Sequence, residues 1–136
     1  MMARPRAQGE KELFWIGPSY RELLAFPERV KDRIGTALGV AQFGGKHLSA
    51  KPWKGEGPGV LEVVEDHAGD TYRAVYTVRF EKAVYVLHAF QKKSPKGAKT
   101  ARTDVELVHR RLQAAREHYG TNFGARWRAR GRKDEG

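Results

Sequence analysis

The stretch that most constrains the fold is residues 83–93, AVYVLHAFQKK, which is apolar almost throughout and ends in two lysines. Alternate residues of a strand point to opposite faces of a sheet. Alternation assigns the side chains to two sets: Val84, Val86, His88 and Phe90 on one face, and Ala83, Tyr85, Leu87 and Ala89 on the other. A strand that is apolar on both faces is a central strand covered by other elements. The stretch therefore predicts a buried strand that presents Lys92 and Lys93 where it leaves the core.

The charge of the chain limits its partners. Lys and Arg number 26 against 16 Asp and Glu, for a net charge of +10 in 136 residues. Such a balance favours nucleic acid, an anionic membrane surface or an acidic protein, and charge alone does not choose among them. The length suits one domain with its own core.

Several classes of site are disfavoured by what the sequence lacks. Cysteine is absent, which excludes disulfides and thiolate metal sites, and the histidines do not have metal-ligand spacing. We expect no metal and no cofactor. No run of about 18 apolar residues exists to span a bilayer, and no apolar segment follows the basic first residues. We expect a cytoplasmic protein without a membrane partner.

The first half of the chain predicts a strand followed by a helical hairpin. Residues 12–16, ELFWI, form a short β-rich run that stops at Gly17. Ser19 and Glu22 have the spacing of a capping box, which predicts a short helix. Pro27 suits the first turn of a second helix, whose apolar residues repeat at helical spacing. These apolar residues are Val30, Ile34, Ala37, Leu38 and Ala41.

The second half predicts a loop, a three-stranded antiparallel meander and a C-terminal helix. Residues 46–59 have no periodicity and contain three glycines, which indicates a long loop. Strands are predicted over 60–65, 71–80 and 83–93. In the second of these, alternation places Arg73 and Arg79 on the same face. Thr103 and Glu106 have capping-box spacing and predict a helix that runs to the core residue Tyr119.

This order of elements predicts a small α+β domain. We assign residues 1–11 to a flexible basic arm, residues 12–119 to the domain, and residues 120–136 to a flexible Arg-rich tail.

Three segments resemble the phage-derived HigB-like branch of the RelE/ParE toxin superfamily. They are RELLAFPERVKDRIGTAL, KPWKGEGPGVLEVVED and TYRAVYTVRFEKAVYVLHAFQKKSPKGAKTARTDVELVHRRL. The most specific pieces are Tyr72-Arg73-x-x-Tyr76 and Leu87-x-x-Phe90-x-Lys92-Lys93-Ser94. The resemblance covers residues 12–119, and it implies the strand, helical hairpin, meander and C-terminal helix of that toxin domain.

The resemblance also implies a function. It indicates the toxin of a type II toxin–antitoxin pair, in many relatives a ribosome-dependent endoribonuclease that cleaves mRNA. The implied partner is a helix-turn-helix antitoxin, with mRNA and the ribosome as targets. Two alternatives share the fold or the charge: a gyrase-inhibiting toxin of the ParE type, and a non-catalytic phage RNA-binding protein.

The residues present suit the chemistry of metal-independent RNA cleavage. The ribose 2′-OH attacks the adjacent phosphate, so the site needs a proton acceptor, a proton donor and fixed cations. We predict Arg73, Lys92 and Lys93 as the catalytic residues. Arg73 suits a phosphate because its planar guanidinium donates two hydrogen bonds at once. A lysine crowded by other cations gives up its proton more readily and suits a general base.

Further residues are candidates for contact with RNA. We predict five RNA-binding residues: Lys51, Trp53, Lys96, Lys99 and Arg102. His47 is a candidate acid or base, and Trp53 a candidate stacking surface for a base. Each has a structural alternative, since the charged residues can form a solvated rim and Trp53 can fold back on the core. For His88 we favour a hydrogen-bonded core histidine.

Overall fold

The computed structural model describes residues 7–92 and 100–135, with side chains described through residue 124. Within these residues the chain forms five strands and three helices. In chain order they are β1 (Glu12–Trp15), α1 (Ser19–Leu24), α2 (Glu28–Gln42), β2 (Ala50–Pro52), β3 (Val60–His67), β4 (Asp70–Thr77), β5 (Ala83–Lys92) and α3 (Arg102–Glu135). The predicted α+β class is confirmed, as are the helical hairpin and the C-terminal helix.

The five strands form one sheet in the order β1-β5-β4-β3-β2. Strands β3, β4 and β5 form the predicted antiparallel meander, and β1 pairs with β5 in parallel. Strand β2 lies inside the predicted loop 46–59 and pairs antiparallel with β3. The sequence did not indicate β2 because three residues that include Pro52 carry no alternation. Proline is tolerated there because β2 is an edge strand.

Each face of the sheet is covered by helices. Helices α1 and α2 cover one face, called here the α1/α2 face, and α3 covers the other, called the α3 face. The α1/α2 face buries a cluster that includes Ile34, Leu38, Val63, Tyr76, Val84 and Val86. The α3 face buries a cluster that includes Trp53, Val75, Tyr85, Leu87, Val108 and Leu112. The covered faces confirm that residues 83–92 form a buried strand.

Strand β5 contains a β-bulge that changes which side chains share a face. Val75 pairs with His88 and Tyr76 pairs with Val86, so Leu87 is the extra residue. An extra residue reverses the alternation beyond it. Phe90 consequently packs on the α3 face, although Val86 packs on the α1/α2 face. The prediction that these residues lie on one face is wrong beyond Leu87.

Strand β4 ends at Thr77, three residues earlier than predicted. The Thr77 hydroxyl donates a hydrogen bond to the Gly59 carbonyl and accepts one from the Arg79 amide. The Arg79 guanidinium donates to the carbonyls of Glu56 and Pro58. Arg79 therefore holds the loop before β3 and does not share a strand face with Arg73.

The two predicted capping boxes are wrong. The Ser19 hydroxyl donates to the Val86 carbonyl at 3.2 Å, and α1 has no side-chain cap. Helix α3 begins at Arg102, so Thr103 lies inside its first turn. Glu106 forms an ion pair with Arg102 at 3.4 Å. In α1, a hydrogen bond to the sheet replaces the local cap.

Helix α3 does not end near Gly120. It continues to Glu135, so most of the segment predicted as a flexible tail has a helical backbone. A single glycine costs about 1 kcal/mol in a helix interior relative to alanine, which does not terminate a helix. Tyr119 and Phe123 stack one turn apart across Gly120, with ring centroids 4.7 Å apart. This contact extends the packed part of the helix beyond the predicted end of the domain.

Candidate nucleic-acid interface

The register of the sheet places three of the predicted cations on its α3 face. Lys51 of β2 lies opposite Glu62 of β3. Arg73 of β4 lies opposite Phe90 of β5, and Lys92 lies opposite Thr71, two residues from Arg73. Neighbours two residues apart on adjacent strands are about 7–8 Å apart, within reach of long side chains. The fold thus places Lys51, Arg73 and Lys92 on one face, where Lys51 is the cross-strand neighbour of Glu62 and Lys92 is a diagonal neighbour of Arg73.

Glu62, for which the sequence predicted no role, forms an ion pair with Arg73. Arg73 Nη1 donates to Glu62 Oε1 at 2.6 Å, and the two side chains are only 12% and 9% exposed. Arg73 Nε is buried and has no hydrogen-bond partner in the part of the chain that the structure describes. The sequence signal was a glutamate between Leu61 and Val63, on the same face as Arg73. Among apolar neighbours, a buried carboxylate of this kind requires a partner.

Trp53 is buried against Phe90, the cross-strand partner of Arg73. Its ring meets Phe90 edge-on at 6.5 Å, and only 4% of the residue is exposed. This differs from the expectation of an exposed stacking surface, and the bulge is part of the reason because it places Phe90 on the α3 face. The Trp53 indole N–H has no partner among the described residues. A base-stacking role for Trp53 stays a prediction and requires the ring to become accessible.

His88 is the buried histidine that the sequence predicted, and it is hydrogen-bonded at both ring nitrogens. Nδ1 lies 3.0 Å from Glu22 Oε1 of α1, and Nε2 lies 2.8 Å from Asp104 Oδ1 of α3. Arg111 Nη1 donates to both Glu22 oxygens, at 3.0 and 3.1 Å. Four charged or titratable side chains, called here the clamp, therefore connect α1, β5 and α3: Glu22, His88, Asp104 and Arg111.

The clamp lies where β5 loses its neighbour. Strand β1 ends opposite Val86, so β5 has no β1 partner beyond that residue. There the Ala89 amide donates to Glu22 Oε1 at 3.0 Å, and Arg111 Nη1 donates to the Leu87 carbonyl at 3.0 Å. Side chains from two helices thus satisfy backbone groups that a longer β1 would pair, as buried peptide groups require.

The clamp changes the acidity of Glu22. Burial raises the pKa of a carboxyl group, but hydrogen bonds from Arg111, the Ala89 amide and His88 outweigh burial in this case. The net result is that the pKa of Glu22 is lowered below its ordinary value of 4.5. The carboxylate form is therefore favoured by folding.

The remaining predicted site residues are less constrained or lie outside the described residues. Lys93, Lys96 and Lys99 belong to residues 93–99, which the structure does not describe. Arg102 is exposed at the start of α3. His47 is half-buried, and its Nδ1 accepts a hydrogen bond from the Ser49 amide at 3.0 Å. This bond stabilises the turn before β2, and the catalytic role of His47 stays a prediction.

Residues 7–92 and 100–135 contain no group of three or more His, Asp or Glu side chains arranged to hold a metal ion. In the same ranges, no helix combines the length and the apolarity that crossing a bilayer requires. A cavity of about 380 Å³ is lined by residues 9–12, 81–82 and Phe123. These residues include none of the predicted site residues.

Residues 21–113 match the family model described as Phage derived protein Gp49-like (DUF891). The matched segment is more than half of the chain. The chain belongs to this family. The matched segment contains Glu62, Arg73 and all four clamp residues. The Arg73–Glu62 ion pair and the clamp therefore both lie in the part of the chain that matches the family.

A solved structure also aligns with the Gp49-like chain. It is the crystal structure of the toxin–antitoxin complex RelBE2 from Mycobacterium tuberculosis, with 17% sequence identity and a TM-score of 0.39. The alignment covers 65% of this chain and 98% of the other. No curated protein matches the sequence.

Proposed function

We propose that this Gp49-like protein is the toxin of a type II toxin–antitoxin system, within the HigB-like branch of the RelE/ParE superfamily. Its activity is cleavage of mRNA in the cytoplasm, on the ribosome and without a metal ion. The observation that supports this proposal is the gathering of Lys51, Arg73 and Lys92 on one face of the sheet. Cations on one face of the sheet attract the negative charge of a phosphodiester.

The residues suit transesterification by the ribose 2′-OH. The 2′ oxygen bonds to phosphorus, the bond from phosphorus to the 5′ oxygen breaks, and the 2′ proton passes to a base. A proton delivered to the leaving 5′ oxygen completes the reaction, which yields a 2′,3′-cyclic phosphate and a 5′-hydroxyl. In this proposal Arg73 and the lysines stabilise the negative charge of the transition state.

We assign Glu62 two roles in this reaction. It holds the Arg73 guanidinium in one orientation, because an arginine–carboxylate pair has directional hydrogen bonds. As a carboxylate it is also a proton acceptor on the same face as the cations. Lys92, Lys93 and His47 remain the proposed candidates for the other proton transfers.

Induction of the protein in bacteria tests the proposal. We expect growth to stop and new mRNA ends to appear within coding regions. The purified protein should cleave mRNA in the presence of EDTA, once ribosome integrity has been controlled for, because the proposed site uses only side chains. End-group analysis should find 2′,3′-cyclic phosphates. Arrest with intact mRNA and relaxed or broken DNA would favour gyrase inhibition, and normal growth would favour a non-catalytic RNA-binding protein.

The proposed partner is an antitoxin, a helix-turn-helix protein encoded by a neighbouring gene. A face that attracts phosphate also attracts carboxylates, so an acidic segment of the partner is suited to neutralise it. We expect co-expression to yield a complex that does not cleave RNA and whose association slows as salt rises. Pull-down and stopped-flow mixing measure these two properties. If no neighbouring small protein binds or restores growth, the toxin–antitoxin assignment loses its main support.

A further inference from the structure

Strand β1 forms an edge of the sheet, and its outer side has backbone groups without partners. The Ile16 amide donates to the Val86 carbonyl at 3.0 Å, so the even-numbered residues of this strand direct their backbone groups toward β5. Alternate residues direct theirs to the opposite side. The amides and carbonyls of Leu13 and Trp15 therefore point outward, and they have no hydrogen-bond partner in the part of the chain that the structure describes.

Contacts at both ends limit this open stretch of β1. Before it, the Lys11 amide donates to the Gln42 carbonyl at 2.8 Å, and the Gln42 side-chain amide donates to the Lys11 carbonyl at 2.7 Å. After it, the chain leaves the extended conformation at Gly17, which has a φ of 55°. The end of α2 thus pairs the outer groups of Lys11, and two donors and two acceptors remain on Leu13 and Trp15.

The two edge strands of the sheet differ in how they are protected from pairing with another chain. Strand β2, at the opposite edge, contains Lys51 and Pro52, and lysine and proline are residues that protect edge strands. Strand β1 has the sequence ELFW and contains neither. Its four residues offer few hydrogen bonds, so a partner strand also needs contacts with side chains beside β1.

Exposed aromatic side chains lie at both ends of the open stretch. Tyr20 of α1 is 50% exposed, and its ring packs on Trp15 with centroids 4.9 Å apart. Phe43 follows the residue of α2 that pairs with Lys11, and it is 57% exposed. Aromatic residues are enriched in protein–protein interfaces. The edge therefore combines open backbone groups with apolar surface at each end.

We propose that β1 is a homodimer interface, at which a second copy of this chain adds its own β1 in the antiparallel direction. A two-fold axis at Phe14 places Leu13 opposite Trp15 of the second copy, and Trp15 opposite Leu13 of the second copy. Residues that face each other in this way exchange two hydrogen bonds, so all four open groups of each copy are paired. The same rotation brings Tyr20 of each copy to the end where Phe43 of the other copy lies.

This surface is self-complementary, as a two-fold interface requires. A foreign strand would also satisfy the backbone groups of β1, but the chain itself supplies a match at both aromatic ends. The dimer leaves the candidate nucleic-acid interface free, because Lys51 and Arg73 lie on β2 and β4, away from β1. The inference is therefore independent of the proposed function.

Sedimentation equilibrium of nuclease-treated protein, at several protein and salt concentrations, tests the dimer. We expect a dimer whose fraction rises with protein concentration. Each copy has a net charge of +10, so the two copies repel each other and the dimer should become tighter as salt rises. Association through residual RNA would weaken as salt rises.

Amide hydrogen exchange tests the location of the interface. The Leu13 and Trp15 amides should exchange slowly only at protein concentrations at which the dimer forms. The Phe14 amide points toward β5 in the parallel pair and should be protected at every concentration.

Two variants test the contacts at the edge. Leu13→Pro removes one open donor without removing a bond to β5, and proline is tolerated on the outer side of an edge strand. Tyr20→Ser combined with Phe43→Ser removes both exposed rings and keeps the backbone. We expect each variant to raise the dissociation constant of the dimer by at least about tenfold. Leu48→Ser is the control, since Leu48 is fully exposed just before β2 and should leave the dimer unchanged. If circular dichroism shows that Leu13→Pro does not fold, the variant at Tyr20 and Phe43 decides.

Three results would overturn the proposal. One is a protein that stays monomeric at every concentration. Another is a dimer that tolerates both variants, because a different surface would then hold it. The third is slow exchange of the Leu13 and Trp15 amides only after another protein is added, which would assign the edge to that protein. None of these measurements depends on RNA cleavage, so a failure of the proposed function leaves them unchanged.

Discussion

Replacing Arg73 by alanine should lower the rate of RNA cleavage by about tenfold to a hundredfold, as expected for loss of a transition-state cation. The same substitution should destabilise the protein, because it leaves the Glu62 carboxylate buried without a partner. Breaking a buried pair from one side costs about 3–5 kcal/mol. Single-turnover cleavage and urea unfolding measure the two effects. The Glu62 contact is the reason that Arg73→Ala is expected to affect stability as well as the rate.

A double variant separates catalysis from stability. Arg73→Ala combined with Glu62→Ala removes both charges, so most of the lost stability should return while cleavage stays low. Arg110→Ala, at an exposed position of α3, is the matched control for loss of one arginine and should change stability by less than about 0.5 kcal/mol. Recovery of cleavage in the double variant would contradict the catalytic assignment of Arg73 and the part proposed for Glu62 in the reaction.

Replacing Glu22 by alanine should produce the second large effect, on stability. Arg111 and the Ala89 amide would both lose an acceptor at the edge of β5. We expect a loss of about 3 kcal/mol in the free energy of unfolding, at the low end for a buried pair because the Glu22 side chain is 23% exposed. Glu28→Gln is the control, since the exposed Glu28 forms an ion pair with Lys31. It should cost less than about 1 kcal/mol.

The pH dependence of the Glu22 contribution has a definite sign. Folding lowers the pKa of this carboxyl below 4.5, so the unfolded chain binds the proton more readily than the folded chain. The stabilisation is complete above pH 4.5 and is lost as the pH falls through the lower, folded-state pKa. The difference in unfolding free energy between wild type and Glu22→Gln should therefore shrink below pH 4.5. A difference that grew on acidification would contradict the lowered pKa.

The local elements could be predicted because short-range patterns specify them. Apolar residues at helical spacing predicted α2, and alternation together with apolarity predicted β3, β4 and β5. Turn residues separated the strands of the meander, so their antiparallel order followed. Strand β2 was missed because three residues carry too little pattern. The end of α3 was misplaced because one glycine was given more weight than the stacking of Tyr119 on Phe123.

The candidate site was predictable only in part. The sequence identified Arg73 on an apolar strand and both Lys92 and Lys93 at the end of another, before the family resemblance indicated a function. It did not indicate that Glu62 neutralises Arg73, because that contact depends on how β3 is registered against β4. Nor did it indicate that Trp53 is buried against Phe90, since the bulge at Leu87 reverses the face on which Phe90 lies.

The sequence by itself determined the class of the fold, the buried strand and the cations at its end, because periodicity and charge are properties of neighbouring residues. The tertiary structure alone decided which charges meet. Glu22 and Arg111 are 89 positions apart in the chain, and Glu22 and His88 are 66 apart. Their contact requires β1 to end opposite Val86, which leaves backbone groups of β5 for the helices to satisfy. Such a requirement arises from the packed sheet, because a buried peptide group must find a partner wherever the chain provides one.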